Sequence, residues 1–223
     1  RIAAGLATLQ QASAALPQLH WVVGAPTPAR GPGKRLHNSL LVLQAGQIRL
    51  QYDKQLLPTY NIFDERRYFV AGTEPCVFEV EGVRVGLLVC EDAWFAEPAR
   101  STAAAGAQLL AVINASPFHL GKSAEREATM RERVAETDLP LVYAHLVGGQ
   151  DEVVFEGRSF ALNADGSVAG RAPGFEEKLV FARVHHAQEA IKIEADIAPE
   201  KSLEADLWDA LVLGVRDYVG KNG

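Results

Sequence analysis

A chain of 223 residues, 48% of them hydrophobic and 22% charged, is long enough for one large core and has a globular composition, which excludes disordered, collagenous and coiled-coil classes. Its net charge of -6 argues against a nucleic-acid or anionic-lipid surface, which needs a clustered excess of Lys and Arg, and favours a small polar or anion-tolerant partner. No apolar run approaches the roughly 18 residues of a membrane span, and two cysteines, Cys76 and Cys90, neither in a Cys-x-x-Cys pair, exclude a disulfide scaffold and make a reducing cytoplasm the expected location.

The chain opens on Arg1-Ile2-Ala3-Ala4, with neither an initiating methionine nor a signal-peptide pattern, and both ends read as trimmed. Ile2, Leu6, Leu9 and Leu16 fall near helical spacing and predict a helix over 2–16. His20 to Gly24 predicts a short strand running into a Pro/Gly-rich loop over 25–33. Ser39 to Leu43 and Gln47 to Tyr52 flank Ala45-Gly46 as a hairpin, and a polar and aromatic loop over 54–72 follows. Cys76 to Val80 and Val83 to Val89 form a second hairpin around Glu81-Gly82, its second arm an apolar run suited to burial on both faces. Next come a small-residue helix from Pro98 to Ala107, a buried strand from Leu109 to Ile113, a helix from Ser123, its cap, to Thr137, and a strand from Leu141 to Val147. Two β segments around Asn163-Ala164-Asp165-Gly166 and a last strand from Leu179 to Val184 lead to a helix over 203–219. That helix sets Leu207, Leu211, Val215 and Tyr218 on one stripe and ends in a cap at Lys221-Asn222-Gly223. The βαβ rhythm, without repeats or a low-complexity linker, argues one α/β domain with hairpin insertions.

Cys90 stands where a buried strand stops, followed by Glu91-Asp92-Ala93-Trp94. Ligands gather at the carboxyl ends of strands in open α/β sheets, and backbone N–H groups of the following turn lower a thiol pKa and hold an oxyanion. The alternative is a buried structural cysteine. Lys54, at the end of a strand, is by itself a solvated end charge; read with Cys90, its ammonium favours the thiolate and stabilises the charge of a tetrahedral intermediate on an amide carbonyl.

Two stretches are distinctive: Tyr52-Asp53-Lys54-Gln55-Leu56-Leu57-Pro58-Thr59-Tyr60-Asn61-Ile62-Phe63-Asp64-Glu65-Arg66-Arg67-Tyr68-Phe69, and Val85-Gly86-Leu87-Leu88-Val89-Cys90-Glu91-Asp92-Ala93-Trp94. Together with Asn114-Ala115-Ser116-Pro117-Phe118, the run from Gly148 to Gly157 and the run from Leu211 to Val219, they resemble the nitrilase superfamily (carbon-nitrogen hydrolases) over nearly the whole chain. Within it the match is to the glutamine-amidotransferase domain of glutamine-dependent NAD+ synthetases. The resemblance implies a four-layer α-β-β-α sandwich and a Glu-Lys-Cys catalytic set in which Cys90 attacks the glutamine side-chain amide and Lys54 holds the oxyanion. It also implies that Tyr60, Glu91, Trp94, Ser116 and Lys122 hold glutamine, Glu91 through the ammonium and Ser116 with Lys122 through the carboxylate.

The third member of that set, a base glutamate in a Pro-Glu-Leu segment after the first strand, is not found in residues 1–223, and no other glutamate transfers to its role by motif. The expectation is therefore a nitrilase-type domain over 1–197 lacking its first strand and base, and a helix over 198–223 leading to a synthetase domain. ATP and Mg2+ are expected in that domain and no cofactor in this chain. L-glutamine, the synthetase domain and further copies in a homo-oligomer are the expected partners, with neither nucleic acid nor membrane. The competing readings are a free-standing amidase or carbamoylase and a silent docking module. Other features carry less. His185-His186 side chains on a strand face opposite ways and lack a third metal ligand; Gly31-Pro32-Gly33-Lys34 lacks phosphate-loop spacing; and His145 and Cys76 read as packing residues. His119 lies in the loop beside Ser116, within reach of a substrate. Arg126, Arg131 and Arg133, alternating with glutamates, read as a solvated helix face.

Overall fold

The computed structural model describes residues 2–30, 33, 36–187 and 190–223, in two compact units, Arg1–Ala107 and Gln108–Gly223. Gly31, Pro32 and Lys34 of the glycine-rich stretch lie outside the described residues.

In the first unit, helix α1 (Ile2–Ala15) precedes an antiparallel sheet of β1 (Trp21–Pro28), β2 (Leu36–Gln44) and β3 (Gln47–Asp53), with β2 central. β1 runs four residues beyond the predicted strand because Pro26, on an edge strand, needs no ladder N–H, and because Thr27 pairs with His37 and bonds through its hydroxyl to Ser39 at 2.7 Å. Ala45 and Gly46, both at positive φ, make the tight turn predicted between β2 and β3. Buried Ser13 of α1 accepts from the Gly46 N–H at 3.0 Å, so a polar contact joins the helix to the turn. Helix α2 (Glu65–Tyr68) interrupts the long loop, and β4 (Val77–Val80) pairs antiparallel with β5 (Val83–Val89). β5 is buried at every position except Arg84. It ends in a 3-10 turn, Cys90–Trp94, before α3 (Ala96–Ala104).

In the second unit, β6 (Leu109–Asn114), α4 (Lys122–Thr137) and β7 (Leu141–His145) form the predicted βαβ, with β6 and β7 parallel. The predicted strand over 141–147 breaks at Leu146, and Val147 starts β8 (Val147–Gln150), which pairs with β9 (Val153–Glu156). β10 (Phe160–Leu162) and β11 (Val168–Arg171) extend the β6–β7 sheet antiparallel. β12 (Ala182–Ala187) pairs with β13 (Ala190–Ala195), a strand not predicted although Ile191 and Ile193 alternate with exposed neighbours. Helix α5 (Leu203–Asn222) ends as expected at Gly223, but turns the predicted stripe of Leu207, Leu211, Val215 and Tyr218 outward. Its inner face is Asp206, Ala210 and Leu213, turned toward the β8–β9 hairpin, which comes so close that a Cβ on Gly149 would lie 3.1 Å from the Asp217 side chain. Among the described residues no helix is long and apolar enough to cross a membrane.

Helix α4 corrects two expectations. Its N-cap is Gly121 in the left-handed region, and the Ser123 hydroxyl instead donates to Glu156 at 3.2 Å. Arg126 and Arg133 are buried, not solvated. The Arg126 guanidinium meets Glu156, itself fully buried, at 2.6 Å, and Arg133 is covered by Glu132 and Glu136 from its own helix. A buried pair contributes little net stability, but removing one partner leaves an uncompensated charge that costs about 3–5 kcal/mol. Arg126→Met is thus expected to lower the melting temperature by roughly 10 °C, and Arg126→Met with Glu156→Leu to recover most of it, as read by thermal denaturation.

Candidate active site

The loop over 54–72 closes on itself at both ends. Lys54 N–H donates to Asn38 O and Gly72 N–H to Lys54 O, both at 2.8 Å, while Val70 N–H donates to Leu36 O at 2.8 Å. Residue 72 passes so close to β3 that a Cβ there would sit 2.1 Å from Asp53 O, which only glycine permits. Inside the closed loop Glu65 N–H donates to Pro58 O, and α2 begins at Glu65. This folding turns the Glu65 carboxylate onto Lys54: Nζ donates to Oε1 at 2.7 Å, and Lys54 is 1% exposed. Lys54 is therefore not an end charge in water. Glu65 lies within the distinctive motif, yet its partnership with Lys54 was not anticipated; the signal available was a carboxylate eleven residues on, in a loop rich in anchoring aromatics.

β5 delivers Cys90 to an elbow. Cys90 has φ of 45°, in the left-handed region that a non-glycine residue enters only when its surroundings hold it there. The thiol is buried, and burial pushes its pKa up to about 11, against the pull of the Lys54 ammonium; the charges of Glu65, Glu91 and Asp92 add to the rise. At neutral pH the resting group is a thiol whose ionisation depends on Lys54.

Beside it, Glu91 is buried, and both its oxygens accept from the Tyr60 hydroxyl, at 2.8 and 2.7 Å. Burial and the hydrogen bond to Glu91 push the Tyr60 phenol upward, so it stays a donor. Tyr60 and Glu91 line an open, mostly apolar pocket of about 860 Å³ together with Gln55, Leu57, Phe69 and Phe95. Half-buried Trp94 closes the 3-10 turn. Five of the seven expected residues, Lys54, Tyr60, Cys90, Glu91 and Trp94, thus belong to the first unit.

Ser116 and Lys122 belong to the second unit. The Ser116 hydroxyl is buried and accepts from Asn114 Nδ2 at 2.9 Å and Arg126 Nη2 at 3.1 Å; its N–H donates to His145 Nε2 at 3.3 Å. Lys122 starts α4 and pairs with Glu125 at 3.1 Å. His145 is buried as expected, and burial with the Arg126 charge lowers its pKa to about 4, leaving a neutral ring. His119 is exposed.

Three comparisons place the chain among known proteins. The carbon-nitrogen hydrolase family model matches residues 2–191. The chain belongs to the carbon-nitrogen hydrolase family. It is 42% identical over 205 residues, 91% of its length, to the glutamine-dependent NAD+ synthetase of Xylella fastidiosa (strain Temecula1), of which it spans 37%. The solved structure of glutamine-dependent NAD+ synthetase from Acinetobacter baumannii in complex with ADP superposes with a TM-score of 0.86 at 34% identity, over 96% of this chain and 41% of that one. An amidase variant from Nesterenkonia sp. AN1, bearing the acetamide moiety of fluoroacetamide on its active site cysteine, superposes with a TM-score of 0.68 at 27% identity, over 78% of this chain and 64% of that one. The α/β fold of this carbon-nitrogen hydrolase, with mixed sheets and helices, is that of the nitrilase superfamily.

Two titrations follow. Alkylation of Cys90 by iodoacetamide is expected to rise with pH toward about 11, and Lys54→Met to move its midpoint higher, because the lost ammonium is what lowers the thiol pKa; mass spectrometry across the pH range reads both. His145 has a depressed pKa in the folded state, so its contribution is complete above about pH 6.5 and lost as pH falls through about 4. Denaturant titrations between those values are expected to register a loss of roughly 3 kcal/mol that His145→Gln does not undergo.

Proposed function

We propose that this chain is the glutaminase part of a glutamine-dependent NAD+ synthetase. Cys90 Sγ attacks the side-chain amide carbon of glutamine, and the oxyanion forms against the Lys54 ammonium. The amide nitrogen leaves as ammonia, and water then cleaves the thioester to give glutamate and the free thiol. The resemblance supplies the proton acceptor for the thiol from a Pro-Glu-Leu segment outside residues 1–223, while Glu65 holds the Lys54 amine in place. Glu91, with its Tyr60 partner, receives the glutamine ammonium, and the resemblance assigns Trp94, Ser116 and Lys122 to glutamine as well. Ammonia passes to an ATP- and Mg2+-dependent synthetase domain that converts deamido-NAD+ to NAD+, in a cytoplasmic homo-oligomer.

The observation that carries this reading is the buried Lys54–Glu65 pair acting on a buried thiol at a strained elbow, in a chain 42% identical to a glutamine-dependent NAD+ synthetase. A water-exposed lysine would be no more than a solvated charge. The amidase neighbour supports a second reading, hydrolysis of another small amide by the same thiol.

Glutamate release by the full-length protein decides between them. Cys90→Ala is expected to abolish it while leaving NAD+ formation from free ammonia intact, and Lys54→Met to lower kcat by roughly 100- to 1,000-fold, the usual cost of losing an oxyanion donor. Hydrolysis of simple amides without hydrolysis of glutamine favours the second reading, and undiminished release by Cys90→Ala removes the thiol from the reaction.

A further inference from the structure

We propose that Asp92 is the positioning residue that fixes Lys54 against Cys90, by fastening the segment around the lysine to the elbow that carries the thiol. The inference rests on the reading of Cys90 and Lys54 as the reacting pair. It starts from where the bonds of one carboxylate go. Oδ1 accepts from the N–H groups of Gln55 at 3.1 Å and Leu56 at 2.8 Å, the two residues after Lys54. Oδ2 accepts from the hydroxyl of Tyr52 at 2.8 Å, two residues before Lys54. The same Oδ2 accepts from Val89 N–H at 3.3 Å, the residue before Cys90. Lys54 is thus bracketed on both sides by donors to a single side chain, and that side chain leaves the backbone two residues after the nucleophile.

A capping residue needs one such bond; Asp92 makes four and is 0% exposed. Burial raises its carboxyl pKa to about 6, while the bonds from Leu56 and Tyr52 and the Lys54 charge work to keep it ionised. Tyr52, driven upward by burial and by Asp92, remains a phenol and a donor. The lysine stem is long, and a buried ammonium is displaced readily if the backbone beneath it moves. Fixing residues 52, 55 and 56 to the elbow removes that freedom, and misplacement by about 1 Å is enough to cost roughly 100-fold in rate.

Asp92→Ala and Asp92→Asn, made in the full-length protein, separate the clamp from the charge. Both remove the same negative charge, but asparagine keeps an Oδ1 acceptor for Gln55 and Leu56 and its Nδ2 can donate to the Tyr52 oxygen, so that only the long bond from Val89 N–H is lost. Asp92→Ala is expected to lower kcat for glutamine hydrolysis by roughly 100-fold with KM within about twofold, since the Tyr60–Glu91 pair is untouched, and Asp92→Asn to recover kcat to within about tenfold of the parent. Alkylation of Cys90 by iodoacetamide reports the lysine independently of glutamine. Losing the Asp92 charge lowers the thiol pKa in both variants, but only alanine also frees Lys54, so the midpoint is expected to lie lower in Asp92→Asn than in Asp92→Ala. Equal midpoints with equal losses of kcat overturn the proposal and leave Asp92 a charge effect. A loss appearing in KM alone overturns it too. Should Asp92→Ala fail to fold, a folded Asp92→Asn with kcat reduced more than about 100-fold overturns it, and one within about tenfold whose thiol midpoint falls below the parent's supports it. If Cys90→Ala still releases glutamate, it is the functional reading that fails, and the alkylation comparison still decides whether Asp92 holds Lys54.

Discussion

Lys54 carries a positive charge almost wholly out of water, and a charge in that position persists only if its surroundings replace the water it has lost. Glu65 replaces most of it at 2.7 Å, and the loop over 54–72 closes in the way that brings Glu65 there. Gly72 has no side chain because the loop must pass against Asp53, and α2 begins where its first residue can reach the amine. Cys90 is then the group on which the field of that lysine is spent. Without the ammonium, a thiol pushed up by burial and by three carboxylates would be inert at neutral pH.

Within this balance, attraction and repulsion come from the same few ångströms. Glu65 is required to keep Lys54 in place, yet its charge opposes ionisation of Cys90, as do Glu91 and Asp92. A ligand ammonium meeting Glu91 would neutralise one of the opposing charges and displace the Tyr60 hydroxyl that now holds both of its oxygens.

The elements that position Cys90 were legible. Val83 to Val89 reads as a covered strand because it is a near-continuous apolar run, broken only by Arg84, and Glu81-Gly82 and Ala45-Gly46 read as turns because each carries a glycine. Less legible was anything set by partners distant in sequence. Arg126 sits in a run of alternating charges and looks solvated; Glu156, thirty residues on, and the Ser116 hydroxyl make its burial tolerable. Helix α5 displays two apolar faces, and periodicity alone picked the more hydrophobic one, whereas packing against β8 and β9 selects the face with alanine and leucine between two aspartates. Asp92 was visible only as a neighbour of Cys90, since its role depends on Tyr52, Gln55 and Leu56, about forty residues earlier.

The positive φ at Cys90 also bears on how this position can change over generations. A residue held in the left-handed region tolerates a single γ atom far better than a branched Cβ, so threonine and valine are strained there before their chemistry is considered. Serine keeps the shape with a hard oxygen in place of the polarisable sulfur, and glycine keeps the backbone with no side chain at all. The elbow therefore leaves few residue types that fit position 90 without backbone strain. No such backbone constraint bears on Phe69 and Phe95 in the pocket wall, neither of which has a positive φ.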